Sequence, residues 1–222
     1  MIDTIIFDMD GVLIDSEPAY FDVENELFNK LGLQIPRELH ESFVGMTMPT
    51  IWGIIKAKND LPHSIEELVK MHQKGIYDYF IQINKLQPIS GIPVLIKHLD
   101  DKGFKLAVAS STNIKLVKII LTKLEIEHFF QAVCGGDEVV NGKPAPDVFL
   151  LAATKLASAP EECLVWEDSC NGVQAAIAAN MKIIGYQNIG SGNQDLSLAD
   201  WVIDSFENLD YLELDRRFFD HG

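Results

Sequence analysis

Cysteine is scarce in this chain: Cys134, Cys163 and Cys170 make an odd count with no CxxC pair. That argues against a disulfide framework and fits reduced thiols in a cytoplasmic protein. No apolar run approaches the ~20 residues of a bilayer span. The opening Met1-Ile2-Asp3-Thr4 lacks the basic n-region of a signal peptide, so none is expected. Repeats and low-complexity tracts are missing too. Positive charge is the other shortage, with 18 Lys and Arg against 33 Asp and Glu, for a net charge of -15. Such a balance makes nucleic acid and anionic membranes poor partners, because phosphate backbones are held by clustered Lys and Arg. What is present is ordinary for a globular protein: 222 residues, 47% apolar and 23% charged. The length suits one large domain, or a core of roughly 150 residues carrying an insert.

Short apolar runs recur along the chain and predict buried strands: Thr4–Phe7, Lys105–Ala109, Ala132–Cys134, Glu162–Trp166, Met181–Gly185 and Trp201–Ile203. Helical periodicity fills the gaps at 114–124, 146–156 and 172–179. Strands alternating with helices predict an α/β fold, a Rossmann-like parallel sheet covered on both faces. Ligand-binding groups in such sheets gather at the carboxyl ends of the strands. One stretch breaks the alternation. Residues 15–87 show only helical patterns, at 18–31, 49–58 and 64–86, the last opened by the capping box Ser64/Glu67. The expected organisation is a core of 1–14 and 88–222 with a helical cap of 15–87.

The polar clusters fall at the strand ends. Phe7-Asp8-Met9-Asp10-Gly11-Val12 places two carboxylates one residue apart, a repulsive pair unless a cation or proton sits between them. An EF-hand fragment is excluded, since the twelfth residue from Asp8 is Ala19 where that loop needs Glu. Ser110-Ser111-Thr112-Asn113 offers hydroxyls and backbone N–H groups to an anion ahead of a helix. Lys143 stands between Gly142 and Pro144, and Glu167-Asp168-Ser169 adds two more carboxylates. Taken singly, each has a dull reading as an N-cap, a solvated lysine or an acidic loop. Their order on successive strand ends is the informative feature.

These motifs together resemble the haloacid dehalogenase superfamily, in its phosphatase and phosphoglucomutase branch with a helical cap after the first strand. The likeness runs from Phe7 to about Asp204. It implies that Asp8 is the nucleophile, forming an aspartyl-phosphate, and that Asp10 is the general acid and base. It also implies Mg²⁺ as cofactor, held by Asp8, the Asp10 carbonyl and Asp168, with Glu167 in support. Ser110, Ser111, Lys143 and Asn113 are implied to bind phosphate. On the cap side the resemblance points to Asp15, Tyr20, Glu24, Gly45, Met46 and Trp52 as the substrate edge.

Within that branch, mutases carry a cap arginine for a second phosphate. The corresponding stretch, residues 44–50, contains none, and the position of a cap histidine falls on Tyr20. This favours a phosphatase for a small phosphorylated metabolite, a sugar phosphate, over a mutase or a non-catalytic phosphosugar binder; a monomer is expected. The tail, residues 205–222, has no role assigned by these motifs.

Overall fold

A computed structural model describes residues 1–43 and 46–219 of the chain. It divides into two units, one of residues 1–15 and 85–222, the other of residues 16–84. The division lies within a few residues of the expected cap boundaries. Gly45, expected at the substrate edge, lies outside the described residues.

The first unit holds a six-stranded parallel sheet formed by β1 (Thr4–Phe7), β2 (Lys105–Ala109), β3 (Ala132–Cys134), β4 (Cys163–Glu167), β5 (Lys182–Tyr186) and β6 (Trp201–Ile203). Its order is β3-β2-β1-β4-β5-β6, all neighbours parallel. The chain winds outward from β1 in one direction through β2 and β3. It then returns to the other side of β1 through β4, so the direction of winding reverses between β1 and β4. In a doubly wound sheet that reversal opens a crevice at the carboxyl ends of the two strands. The strands are apolar on both faces, as a parallel sheet covered by helices requires. Phe7 of β1 stacks on Trp166 of β4, with ring centroids 6.1 Å apart.

The helices of the second unit are α1 (Glu17–Lys30), α2 (Arg37–Glu41), α3 (Met48–Lys58) and α4 (Ile65–Gln82). Those of the first are α5 (Ile92–Asp101), α6 (Ile114–Lys123), α7 (Asp147–Lys155), α8 (Cys170–Ala178) and α9 (Tyr211–Leu214), which runs on into a π turn at Asp215–Phe219. The capping box at Ser64 and Glu67 is formed. The helix it opens stops at Gln82, not near Leu86. Three helices, α2, α5 and the four-residue α9 of the tail, escape the sequence pattern. α2 is only five residues long, and α5 begins beside Pro93, which sits where its missing N–H costs nothing.

The tail has a structural role. Leu214 and Phe218 are buried, Phe219 meets Phe104, and Arg217 lies over the ring of Trp201, 5.3 Å from its centroid. It closes the apolar end of the first unit. Among the described residues no helix is long and apolar enough to cross a membrane.

Candidate active site

Asp8 follows β1, and the β1–β4 register sets its position. Phe7 pairs with Trp166, so Asp8 and Glu167 come one step later on neighbouring strands. Glu167 is itself the last residue of β4, not the first of the following loop. Beyond Asp8 the chain turns sharply: the Met9 carbonyl accepts N–H groups from Val12, Leu13 and Ile14, and Gly11 donates to the Ile14 carbonyl at 2.7 Å. Gly11 has φ +79°, and a Cβ there would overlap the Asp168 carboxylate. The turn therefore has room only for glycine.

Asp8, Glu167 and Asp168 are buried, and each offers a carboxylate oxygen within 4.8 Å of the others. Lys143 enters from the loop before α7. Its Nζ donates to Asp8 Oδ1 at 2.5 Å and to Glu167 Oε1 at 2.7 Å, and lies 4.7 Å from the Phe149 ring centroid. Asn141 steadies that loop by donating its Nδ2 to the Asp147 carboxylate at 3.1 Å. Glu167 is fixed from its other side by the backbone N–H of Ser169 at 2.6 Å and by the Ser169 hydroxyl at 2.9 Å. Asp10 is half-buried and accepts from the Thr112 hydroxyl at 3.0 Å and, more weakly, from Ser110 Oγ at 3.5 Å. The fully buried Ser110 Oγ also accepts the N–H of Thr112 at 3.0 Å.

Burial dominates the electrostatics here. It pushes the Asp8 carboxyl above its ordinary range, Lys143 opposes that, and Glu167 and Asp10 add to it. Asp168 is raised in the same way, by burial and by repulsion from Glu167 and Asp8. Burial alone would lower Lys143, but Asp8 and Glu167 outweigh it and hold the ammonium above its usual range. Three clustered carboxylates facing one ammonium leave an excess of negative charge that a divalent cation would balance. An all-oxygen donor set is also what a hard cation such as Mg²⁺ takes. The residues fit the metal the resemblance implies.

Asp8, Asp10, Ser110, Lys143, Glu167 and Asp168 thus come together in the first unit. Ser111 is exposed on the same loop. Asn113 serves as the N-cap of α6, accepting the Lys115 N–H at 3.0 Å and donating to Asp137 at 2.7 Å. Asp15 is exposed and lines a cleft of ≈ 300 Å³ with Tyr186, Asn188 and Asp204. The remaining expected substrate residues belong to the second unit. Trp52 is fully buried in its apolar core, edge-on to Phe28, so its ring faces are used in packing instead of being offered to a sugar. Glu24 is buried against His40, Oε2 to Nε2 2.5 Å, with His72 at 3.3 Å. Tyr20 is half-buried with its ring edge toward Phe80, and Met46 is exposed.

Sequence reasoning missed the supporting hydroxyls. Thr112 and Ser169 stood within motifs already singled out, and Ser169 had an N-cap's position. Ser191, whose hydroxyl donates to Asp168 Oδ2, carries no local signal, because its partner lies 23 residues earlier, just past the end of the neighbouring strand.

Residues 5–186 match the model of the haloacid dehalogenase-like hydrolases. The chain is 32% identical over 183 residues to a phosphorylated carbohydrates phosphatase of Thermotoga maritima, covering 82% of this chain and 84% of that protein. It is 30% identical over 208 residues to the beta-phosphoglucomutase of Bacillus subtilis, covering 90% and 88%. Among solved structures, CbbY from Rhodobacter sphaeroides in complex with phosphate superposes with a TM-score of 0.80 at 27% identity, over 94% of this chain and 96% of that one. The match to the family model and the shared sheet leave one assignment: the chain belongs to the haloacid dehalogenase-like hydrolase family.

Proposed function

We propose that the protein is a Mg²⁺-dependent phosphomonoesterase that hydrolyses a small phosphorylated sugar through a phosphoryl group carried on Asp8. The observation behind this reading is the buried Asp8 carboxylate, bonded to Lys143 and set beside Glu167 and Asp168. One oxygen of Asp8 is engaged by Lys143, and the carboxylate attacks phosphorus through the other. The phosphorus–ester oxygen bond breaks, and the leaving alkoxide takes the proton carried by Asp10. In the second step Asp10, now a carboxylate, removes a proton from water. The water oxygen attacks the phosphorus of the aspartyl-phosphate, releasing inorganic phosphate and restoring Asp8. Lys143 and Ser110 hold the phosphoryl oxygens as charge shifts among them. Asp8 and Asp168, with Glu167 alongside, hold Mg²⁺, which when bound supplies positive charge against the phosphoryl oxygens. Thr112 orients Asp10 for both proton transfers.

The likeness to a beta-phosphoglucomutase supports a second reading, isomerisation of a hexose phosphate. Residues 44–50 contain no arginine to retain a second phosphate, which favours hydrolysis. Phosphate release from a panel of sugar phosphates, with and without Mg²⁺, decides between them. Mg²⁺-dependent release is expected. Interconversion of hexose phosphates without net release would overturn the phosphatase reading. On this reading the protein works in the cytoplasm as a monomer, sedimenting near its chain mass of 24.8 kDa.

A further inference from the structure

The loop after β5 contributes nothing to the steps above, yet it grips two parts of the site. Ser191, 8% exposed, donates its hydroxyl to Asp168 Oδ2. Asn188, 7% exposed, donates Nδ2 to the Gly11 carbonyl at 2.9 Å and accepts the Gly190 N–H at 2.8 Å. Gln194 ties the loop down, donating to the Ser191 carbonyl at 2.9 Å and accepting the Cys170 N–H at 3.1 Å where α8 starts. A Cβ at Gly11 would meet both the Asp168 carboxylate and the Ser191 hydroxyl, so both lie against the turn that follows the nucleophile.

We propose that Ser191 is a positioning residue for metal binding. Its hydroxyl fixes the direction in which the Asp168 carboxylate faces Asp8 and Glu167, while Asn188 holds the turn that follows the nucleophile. The reason is entropic and geometric. A short carboxylate can rotate about two torsions, and one oriented donor removes that freedom before the cation arrives. Groups that orient a metal ligand typically change metal affinity by about 10–100-fold when removed. This inference rests on the divalent-cation site of the phosphatase reading.

Electron paramagnetic resonance titration of Mn²⁺ into the full-length, metal-free protein tests it apart from turnover. Wild type, Ser191→Ala and Ser191→Thr are compared, together with the Tm of each in EDTA. The expected result is that Ser191→Ala binds Mn²⁺ at least about 10-fold more weakly, with the metal-free Tm unchanged. Ser191→Thr, which keeps the hydroxyl, restores affinity to near wild type. Equal affinity of Ser191→Ala and wild type would overturn the proposal. Weakened binding in both variants with a lowered metal-free Tm would also overturn it, since that marks general packing. A wild type that binds no Mn²⁺ would overturn the metal site and this inference together, and the wild-type titration alone identifies that case.

Discussion

Lys143 carries more of the site's balance than any other side chain. It is 6% exposed and divides its ammonium between Asp8 and Glu167. Removing it leaves Asp8 and Asp168 buried beside Glu167 with no counter-charge. Loss of one partner from a buried ion pair costs about 3–5 kcal/mol. Lys143→Ala should therefore lower metal-free stability by that order at pH 8. The deficit should be larger at pH 9 than at pH 6, because wild-type Asp8 loses its proton at about pH 8 and, with the ammonium gone, the variant holds that proton to higher pH. Urea denaturation at the two pH values checks this, and an equal deficit at both would contradict it. Turnover should fall by roughly 100-fold or more, as for loss of a transition-state donor. Asp8, Asp10, Lys143 and Asp168 were legible in the sequence because each sits in a short motif whose composition is unusual for a loop. Thr112 and Ser191 were not, since a lone hydroxyl acquires its partner only when distant loops fold together.

At the scale of elements, α8 shows a site constraint overriding helix propensity. Gly172 lies in its first turn, and a Cβ there would overlap the Glu167 side chain, which Ser169 and Lys143 hold in place. Gly172→Ala should gain none of the ~1 kcal/mol that alanine normally brings to a helix. It should also lower kcat by about 10-fold through displaced Glu167; kcat and Tm measured together decide. The second unit carries a separate electrostatic feature. Burial, with Glu17 adding to it, raises Glu24 to about 7, and burial with His40 lowers His72 to about 4. A raised carboxyl means the folded state binds the proton more tightly than the unfolded state, so Glu24 costs stability as pH rises from about 4.5 to about 7. His72 acts oppositely, adding stability as pH rises from about 4 to 6.5. Above pH 6.5 only the Glu24 slope remains. Glu24→Gln should therefore gain stability relative to wild type between pH 6.5 and 8, by on the order of 1 kcal/mol, read as Tm against pH. Parallel curves would refute it. Five-residue α2 was too short to show a period. α5 carries Ile92, Leu95, Ile96 and Leu99 at helical spacing, but the stripe spans only ten residues and opens beside a proline, and the patterns read from the sequence do not include it.

For the whole molecule, the alternation of strands and helices was enough to expect the parallel sheet, and the sheet order explains why the acids meet. The reversal between β1 and β4 brings Asp8 to Glu167 and Asp168 although they lie far apart in the chain. The net charge of -15 bears on this site as well as on partners. Part of it is concentrated in one buried cluster, so on the proposed reading an anionic substrate would be drawn by Lys143 and a bound cation against the general field of the protein. Mg²⁺ should accordingly stabilise the fold, by about 2.7 kcal/mol at a hundredfold excess over its Kd, and EDTA should reverse the rise in Tm. No shift in Tm would mean that the acidic cluster holds no divalent cation. The central claim is that Asp8 attacks phosphorus, and its most direct test is phosphate release by wild type and Asp8→Asn in saturating Mg²⁺ with the best sugar phosphate of the panel. Wild type should release inorganic phosphate while Asp8→Asn loses roughly 1000-fold or more of that rate; unchanged turnover by Asp8→Asn would contradict the mechanism.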